Sequence, residues 1–202
     1  MHNRWIILPV TIVIACIFFS GCISTTPQPP IPAAPSPVQS GTQTKSVSSP
    51  GEFSIRVDSV DEGSVLPDVY SCKGSGESPE VAWDGIPAGT KSLVLILDDP
   101  DAPNGRFTHW IVYNIPPISG ELGQGQPNAK VLANGAQQGD TSAGSRGYYP
   151  PCPPVGTTHR YVFRLYAVDM DITQPTADRD SIDWALTGHT ISETKVTTTF
   201  KR

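Results

Sequence analysis

Two stretches of this chain gather residue types that can bind small ions or move protons. "DDPDAPNGRFTHW", residues 98–110, carries the carboxylates Asp98, Asp99 and Asp101 and, eight residues after the last of them, His109. "GYYPPCPPVGTTHRY", residues 147–161, carries Tyr148, Cys152, Pro154, His159 and Tyr161. Crowded carboxylates repel one another, which raises at least one pKa, and a nearby imidazole can hold the compensating proton. Such a set suits acid–base catalysis by Asp99/Asp101 and His109/His159, as in a hydrolase or isomerase. Zinc or manganese would accept the same donors, but there is no His-x-His or HExxH spacing, so no metal or cofactor is expected. No Gly-x-Ser-x-Gly motif occurs, and the best nucleophile, Cys152, would be silenced by a disulfide. These features favour a binding protein over an enzyme. A purely structural role accounts for each stretch alone: Asp-Pro turns close through aspartate-to-backbone bonds, and Pro and Tyr fill loops.

The elements that must hold these residues read as strands. "SLVLIL" (residues 92–97) is apolar without alternation and should be covered on both faces. "FSIRVDSV" (53–60) alternates as a half-buried strand, and "HWIVYNI" (109–115) and "KVLA" (130–133) read as further strands. "RYVFRLYAVD" (160–169) is apolar or amphipathic on both faces and should be central; His159 and Tyr161, two apart, leave the same side of it. One helix is expected in "DRDSIDWALTGH" (178–189), with Ile182, Ala185 and Leu186 on one face, Asp178 and Asp180 near its start and Gly188 near its end. Pro- and Gly-rich turns separate the strands. The pattern predicts a mainly β domain, an antiparallel Greek-key sandwich with a few short helices, one of them near the C-terminus.

That domain occupies residues 51–202. Residues 1–21 read as a signal peptide: a short polar start, then the sixteen apolar residues 5–20, too few for the roughly 20 a span requires. The run ends in Ser20, Gly21 and Cys22, which resembles a lipobox and marks Cys22 for lipidation. An uncleaved anchor or ordinary cleavage nearby are the alternatives, and each still exports the domain. Residues 22–50, rich in Pro, Ser and Thr with the single charge Lys45, should form a disordered spacer. The domain would sit on the outer face of the cell membrane or in a periplasm. Cys16 and Cys22 fall outside it, leaving Cys72 and Cys152 either as a disulfide, favoured by export, or as two separate thiols. The formal charge of −5 and the lack of a Lys/Arg run exclude nucleic acid as a partner.

Taken together, the two stretches resemble the signature segments of the phosphatidylethanolamine-binding protein family, also called Raf kinase inhibitor-like proteins. The first signature matches Asp99–Pro103, His109–Trp110 and Asn114–Pro116; the second matches Gly147–Ala167. "YSCKGSGESPEVAWDGIPAGTKS" (70–92) resembles a third. The likeness spans about residues 53–202 and is greatest to the exported bacterial and archaeal branch. It implies a β-sandwich with a small anion pocket for phosphate or a phospholipid headgroup. Its lining would come from Asp99, Asp101, His109, Tyr148, Pro154, His159 and Tyr161. Pro150 and Pro151 stand where many relatives have glycine; they lack N–H donors, so they cannot contribute backbone contacts to an anion. The implied function is a membrane-tethered binding protein that sequesters or presents a phosphate-bearing group or modulates a protein partner.

Overall fold

The strand that looked too apolar for one buried face has two. In the computed structural model, which describes residues 51–173 and 177–202, β3 (Ser92–Asp99) is buried at every position. It is the middle strand of a five-stranded antiparallel sheet ordered β6-β4-β3-β7-β8, with β4 at Phe107–Ile115, β6 at Gln137–Gln138, β7 at Thr158–Val168 and β8 at Thr190–Lys201. A second antiparallel sheet, β1-β2-β5, is made from Ser54–Val57, Val81–Asp84 and Gly120–Leu122. Leu93, Leu95 and Leu97 face a core shared with Val57, Val81 and Trp83 of the second sheet. Val94 and Ile96 face the other way, into a layer closed by Ile182, Ala185 and Leu186 of α1 (Arg179–Leu186). Each such side chain, fully buried, contributes about 1.5–3 kcal/mol.

The helix forms where the sequence placed it. Asp178 caps it by accepting the Ser181 backbone N–H at 2.9 Å, a bond of the kind that stabilises a helix by about 1 kcal/mol. Other expectations need correction. Residues 130–133 are not a strand: Val131 is exposed and makes a single bridge to Gln137. The first strand ends at Val57, because Ser59 adopts φ 57° and the chain turns back so that Val60 N–H donates to Val57 C=O. The twelve-residue β8 escaped detection. Its "TISETKVTTTFK" holds few large apolar residues, yet it pairs with β7 from Thr158↔Lys201 to Val168↔Thr190 and turns Val196, Thr198 and Phe200 inward. The signal peptide at 1–21, the lipidation site Cys22 and the spacer 22–50 lie outside the described residues.

Candidate functional site

At one end of the five-stranded sheet, β3, β4 and β7 bring their ends together. The β3–β4 register steps from Leu97↔Trp110 to Asp98↔Thr108, so His109 is an extra residue on β4. Such a β-bulge re-aims a side chain. Here it puts two consecutive residues on the face that bears Leu97 and Asp99: Trp110 enters the shared core and His109 faces a cleft beside it. On β7, pleat alternation sends His159 and Tyr161 to that same face.

The loop before β7 closes the cleft, and its shape follows from local constraints. Gly147 has φ +88°, and a Cβ there would lie 2.4 Å from Asn128 Oδ1, so the chain needs glycine at this bend. Tyr148 then points into the core, donating its hydroxyl to Tyr70 C=O at 2.6 Å and meeting Trp110 edge-on. Tyr149 points to the cleft instead. The loop is anchored by the disulfide Cys72–Cys152, with Cα atoms 5.4 Å apart, and by Cys72 N–H donating to Pro151 C=O at 3.1 Å. Pro150 packs against Gly76, where a Cβ would come within 2.8 Å of its ring. The two prolines therefore shape the loop against the 70–76 segment.

The cleft measures about 400 Å³, within the range of small-ligand sites. Its inner wall is Asp99, His109, His159 and Tyr161, all buried; its outer wall includes Ala102, Phe107, Tyr149, Pro154 and Arg202. Of the residues expected from the sequence, Asp99, His109, Pro154, His159 and Tyr161 come together. Asp101 and Tyr148 do not line the cleft. Tyr149 and Arg202 were missed. Tyr149 is the neighbour of the tyrosine singled out, and the signal for Arg202 was absent because β8 was not recognised.

Hydrogen bonding divides the inner wall into engaged and unengaged atoms. Asp99 Oδ2 lies 2.7 Å from His159 Nδ1, and Asp99 Oδ1 accepts the Asp101 backbone N–H at 2.8 Å. His109 Nδ1 lies 2.8 Å from the Tyr149 carbonyl, so Nδ1 carries the proton and donates it. That leaves Nε2 of each ring outside these bonds. Burial holds the His109 pKa below its ordinary value, against the opposing pull of the Tyr149 carbonyl. The Tyr161 hydroxyl is buried and makes no hydrogen bond of normal length and angle among the described residues, although the Asp99 carboxylate lies close enough to act on it. Burial, with the Asp99 charge adding to it, pushes its pKa up, so it stays a protonated donor. An unmet buried hydroxyl costs roughly 1–3 kcal/mol, which a ligand oxygen would recover.

The three neighbouring carboxylates have three fates. Asp98, facing away from the cleft, accepts Thr108 Oγ1 at 2.7 Å and pairs with Arg179 at 3.1 Å. Asp101 pairs with Arg160 through Nε at 2.9 Å, Nη2 at 2.6 Å and the backbone N–H at 2.9 Å. The bonds to Arg160, more than any other influence, lower the Asp101 pKa to about 2. Arg160 is 60% exposed, so solvent screening limits the pair, and Asp101→Ala should cost about 1 kcal/mol or less. The contribution is present above the unfolded carboxylate value of 3.8 and is lost as pH falls toward about 2. Urea melts at pH 7 and pH 2.5 check this; a loss above about 2 kcal/mol at pH 7 would mean that Asp101 supports more than its own turn.

A family model described as phosphatidylethanolamine-binding protein matches residues 56–201. The chain belongs to that family. A UPF0098 protein of Methanothermobacter thermautotrophicus is 45% identical over 139 residues, covering 68% of this chain and 91% of the relative. A Mycobacterium tuberculosis protein named "Putative lipoprotein LppC" is 42% identical over 115 residues, covering 56% of this chain and 54% of the relative. Among solved structures, the phosphatidylethanolamine-binding protein homolog CT736 of Chlamydia trachomatis superposes with a TM-score of 0.68 at 34% identity, covering 75% of this chain and 99% of that one. YbcL of E. coli, described as a member of the mammalian family, does so with a TM-score of 0.69 at 28% identity and the same coverage. The mainly β, two-sheet fold is thus a family property. A relative named as a lipoprotein and a disulfide in this domain are both consistent with export.

Proposed function

We propose that this protein binds the phosphate of a small molecule or a lipid headgroup in the cleft between the DPDAP turn and the Pro-rich loop. It does so outside the cytoplasm, tethered through Cys22, and sequesters or presents that group or uses the loaded state to modulate a protein partner. The observation that carries this reading is the buried Tyr161 hydroxyl, without a hydrogen bond of normal geometry, on the same inner wall as two imidazoles whose Nδ1 atoms are already engaged. Tyr161 Oη donates to a phosphate oxygen. Nε2 of neutral His109 accepts from a P–OH, and His159 turns its Nε2 to the ligand while Nδ1 stays on Asp99. Both oxygens of the nearby carboxylate already accept bonds, which fixes its orientation, and its repulsion is a cost that the donors of the cleft offset.

The test is a titration of the full chain, in mild non-ionic detergent, with inorganic phosphate and phosphoethanolamine, following the ring signals of His109 and His159 by NMR. Both should move together and saturate, and Tyr161→Phe should weaken binding about tenfold, as expected for loss of a hydrogen bond to a charged group. Binding should be tighter at pH 6 than at pH 8, by at most about tenfold per pH unit for one linked proton. The proton that His109 Nε2 accepts is the ligand's own P–OH, so a phosphate that is fully ionised at pH 8 must take up a proton to bind. Without ligand the sign is the reverse. The unfolded histidine takes its proton near 6.5 and the folded one at lower pH, so stability is fully present above 6.5 and declines as pH falls through that window. Phosphate affinity that rises from pH 6 to pH 8 would contradict this reading.

The competing reading is a hydrolase or isomerase, which the Asp99–His159 pair, arranged as an oriented base, favours. The disulfide removes Cys152 as its nucleophile. Turnover of phosphoethanolamine, followed by phosphorus NMR in the same titration, separates the two.

A further inference from the structure

The cleft carries one formal charge of each sign, and the two are treated differently by the fold. Among the described residues that line it, one is an acid, Asp99, and both of its oxygens are engaged. One is a permanently charged base, Arg202. Elsewhere in the domain, arginines beside the sheet are held by carboxylates: Arg160 by Asp101, Arg164 by Glu193 and Asp98, and Arg179 by Asp98 and Asp183. Arg202 has no carboxylate within 4.0 Å among the described residues, although the domain is acidic overall. Arg56 is likewise exposed and without an ion pair among the described residues, but of the two it is Arg202 that lines the cleft.

Its position is set by backbone. The β7–β8 ladder runs to Thr158↔Lys201, and the next carbonyl, that of Arg202, accepts the Gly156 N–H at 3.1 Å. Lys73 Nζ donates to the Lys201 carbonyl at 2.8 Å and lies 5.3 Å from the Phe200 ring centroid. These contacts pin the end of β8 to the turn that follows the Pro-rich loop, and none of them uses the Arg202 guanidinium. We propose that Arg202 is the charge-selecting residue of the cleft: its guanidinium pairs with the ligand's phosphate and favours an anionic group over a neutral or cationic one of the same size. The inference rests on the phosphate-binding reading above and adds a residue to it. A guanidinium is suited to the task because its planar donors match two phosphate oxygens at once, a geometry an ammonium cannot copy.

The experiment compares wild type, Arg202→Gln and Arg202→Lys as full chains in detergent, titrated with inorganic phosphate at low and at physiological ionic strength. Arg202→Gln should weaken phosphate binding about tenfold, the scale of a lost charge-assisted bond. It should also flatten the dependence of affinity on salt and leave the melting temperature without phosphate unchanged. Arg202→Lys should restore the salt dependence and part of the affinity. If wild type binds phosphate and Arg202→Gln binds it equally tightly with the same salt dependence, this inference is wrong and the proposed function survives. If Arg202→Gln binds weakly only because its unliganded melting temperature has collapsed, and Arg202→Lys behaves likewise, Arg202 supports the fold and the inference fails. If wild type does not bind phosphate at all, both fall.

Discussion

Asp98→Asn and Asp99→Asn, adjacent substitutions of the same kind, should fail in different assays. Asp98 is 1% exposed and faces the α1 layer, where it holds Arg179, itself 11% exposed, and accepts Thr108 Oγ1. Removing its charge leaves a largely buried guanidinium with Asp183 as its remaining ion-pair partner. Breaking a buried pair from one side costs about 3–5 kcal/mol, and retention of Asp183 places this case near 3. For a domain of this size the melting temperature should fall by roughly 6–12 °C, with phosphate affinity unchanged. Asp99→Asn keeps an acceptor for His159 Nδ1–H but loses the charge-assisted bond that fixes the ring on the cleft wall. It should weaken phosphate binding about tenfold while shifting the melting temperature less than its neighbour does. A thermal melt and a phosphate titration on the two variants settle the matter. Equal losses of stability, or a binding defect in Asp98→Asn, would show that the sheet does not separate the two carboxylates.

The second large effect belongs to the disulfide. Cys72 and Cys152 are 80 residues apart in sequence, and closing a loop of that length in the unfolded chain stabilises the fold by roughly 4–5 kcal/mol on the chain-entropy account. The Cys72→Ser/Cys152→Ser variant should therefore melt roughly 10–15 °C below wild type. Wild type in strong reductant should match it. The loss has a functional side, because Cys152 lines the cleft while Cys72 belongs to the segment on which the Pro-rich loop is packed. Without the bridge, that loop is still held by Tyr148 Oη on Tyr70 C=O and by Cys72 N–H on Pro151 C=O. Phosphate binding should weaken and not disappear. A melting point within about 3 °C of wild type would mean that these hydrogen bonds and the core already order the loop without the bond.

The Asp-Pro turn, the bulge and the end of β8 differ in how far the sequence exposes them. Asp99 and Asp101 sit in a turn whose prolines restrict it, so a rigid corner at the end of a buried strand was readable. Which carboxylate entered the cleft was not. Asp99 faces it through the pleat of β3, and Asp101, two residues on, is turned away because Arg160 of β7 captures it. Arg160 lies 59 residues further along the chain, and no local pattern announces that meeting. The tyrosine pair shows the same limit at shorter range. A loop tyrosine was expected at the site, but the bend at Gly147 sends Tyr148 to the core and Tyr149 to the cleft.

Hydrophobic pattern and backbone chemistry determined a good deal on their own. An unbroken apolar run marked β3 as a doubly covered strand, alternation with two apolar or amphipathic faces marked β7 as central, period and capping residues marked α1, and cysteine arithmetic pointed to the bridge that the fold contains. These are local quantities, set by side-chain volume, periodicity and φ preference. The cleft is a sum of non-local ones. A one-residue register shift between β3 and β4 re-aims His109, an ion pair across strands removes Asp101, and a threonine-rich strand with little apolar signal carries Arg202 to the rim. Only the packed sheet decides these, because each depends on which strand lies next to which and in what register, a choice made by the free energy of the whole core.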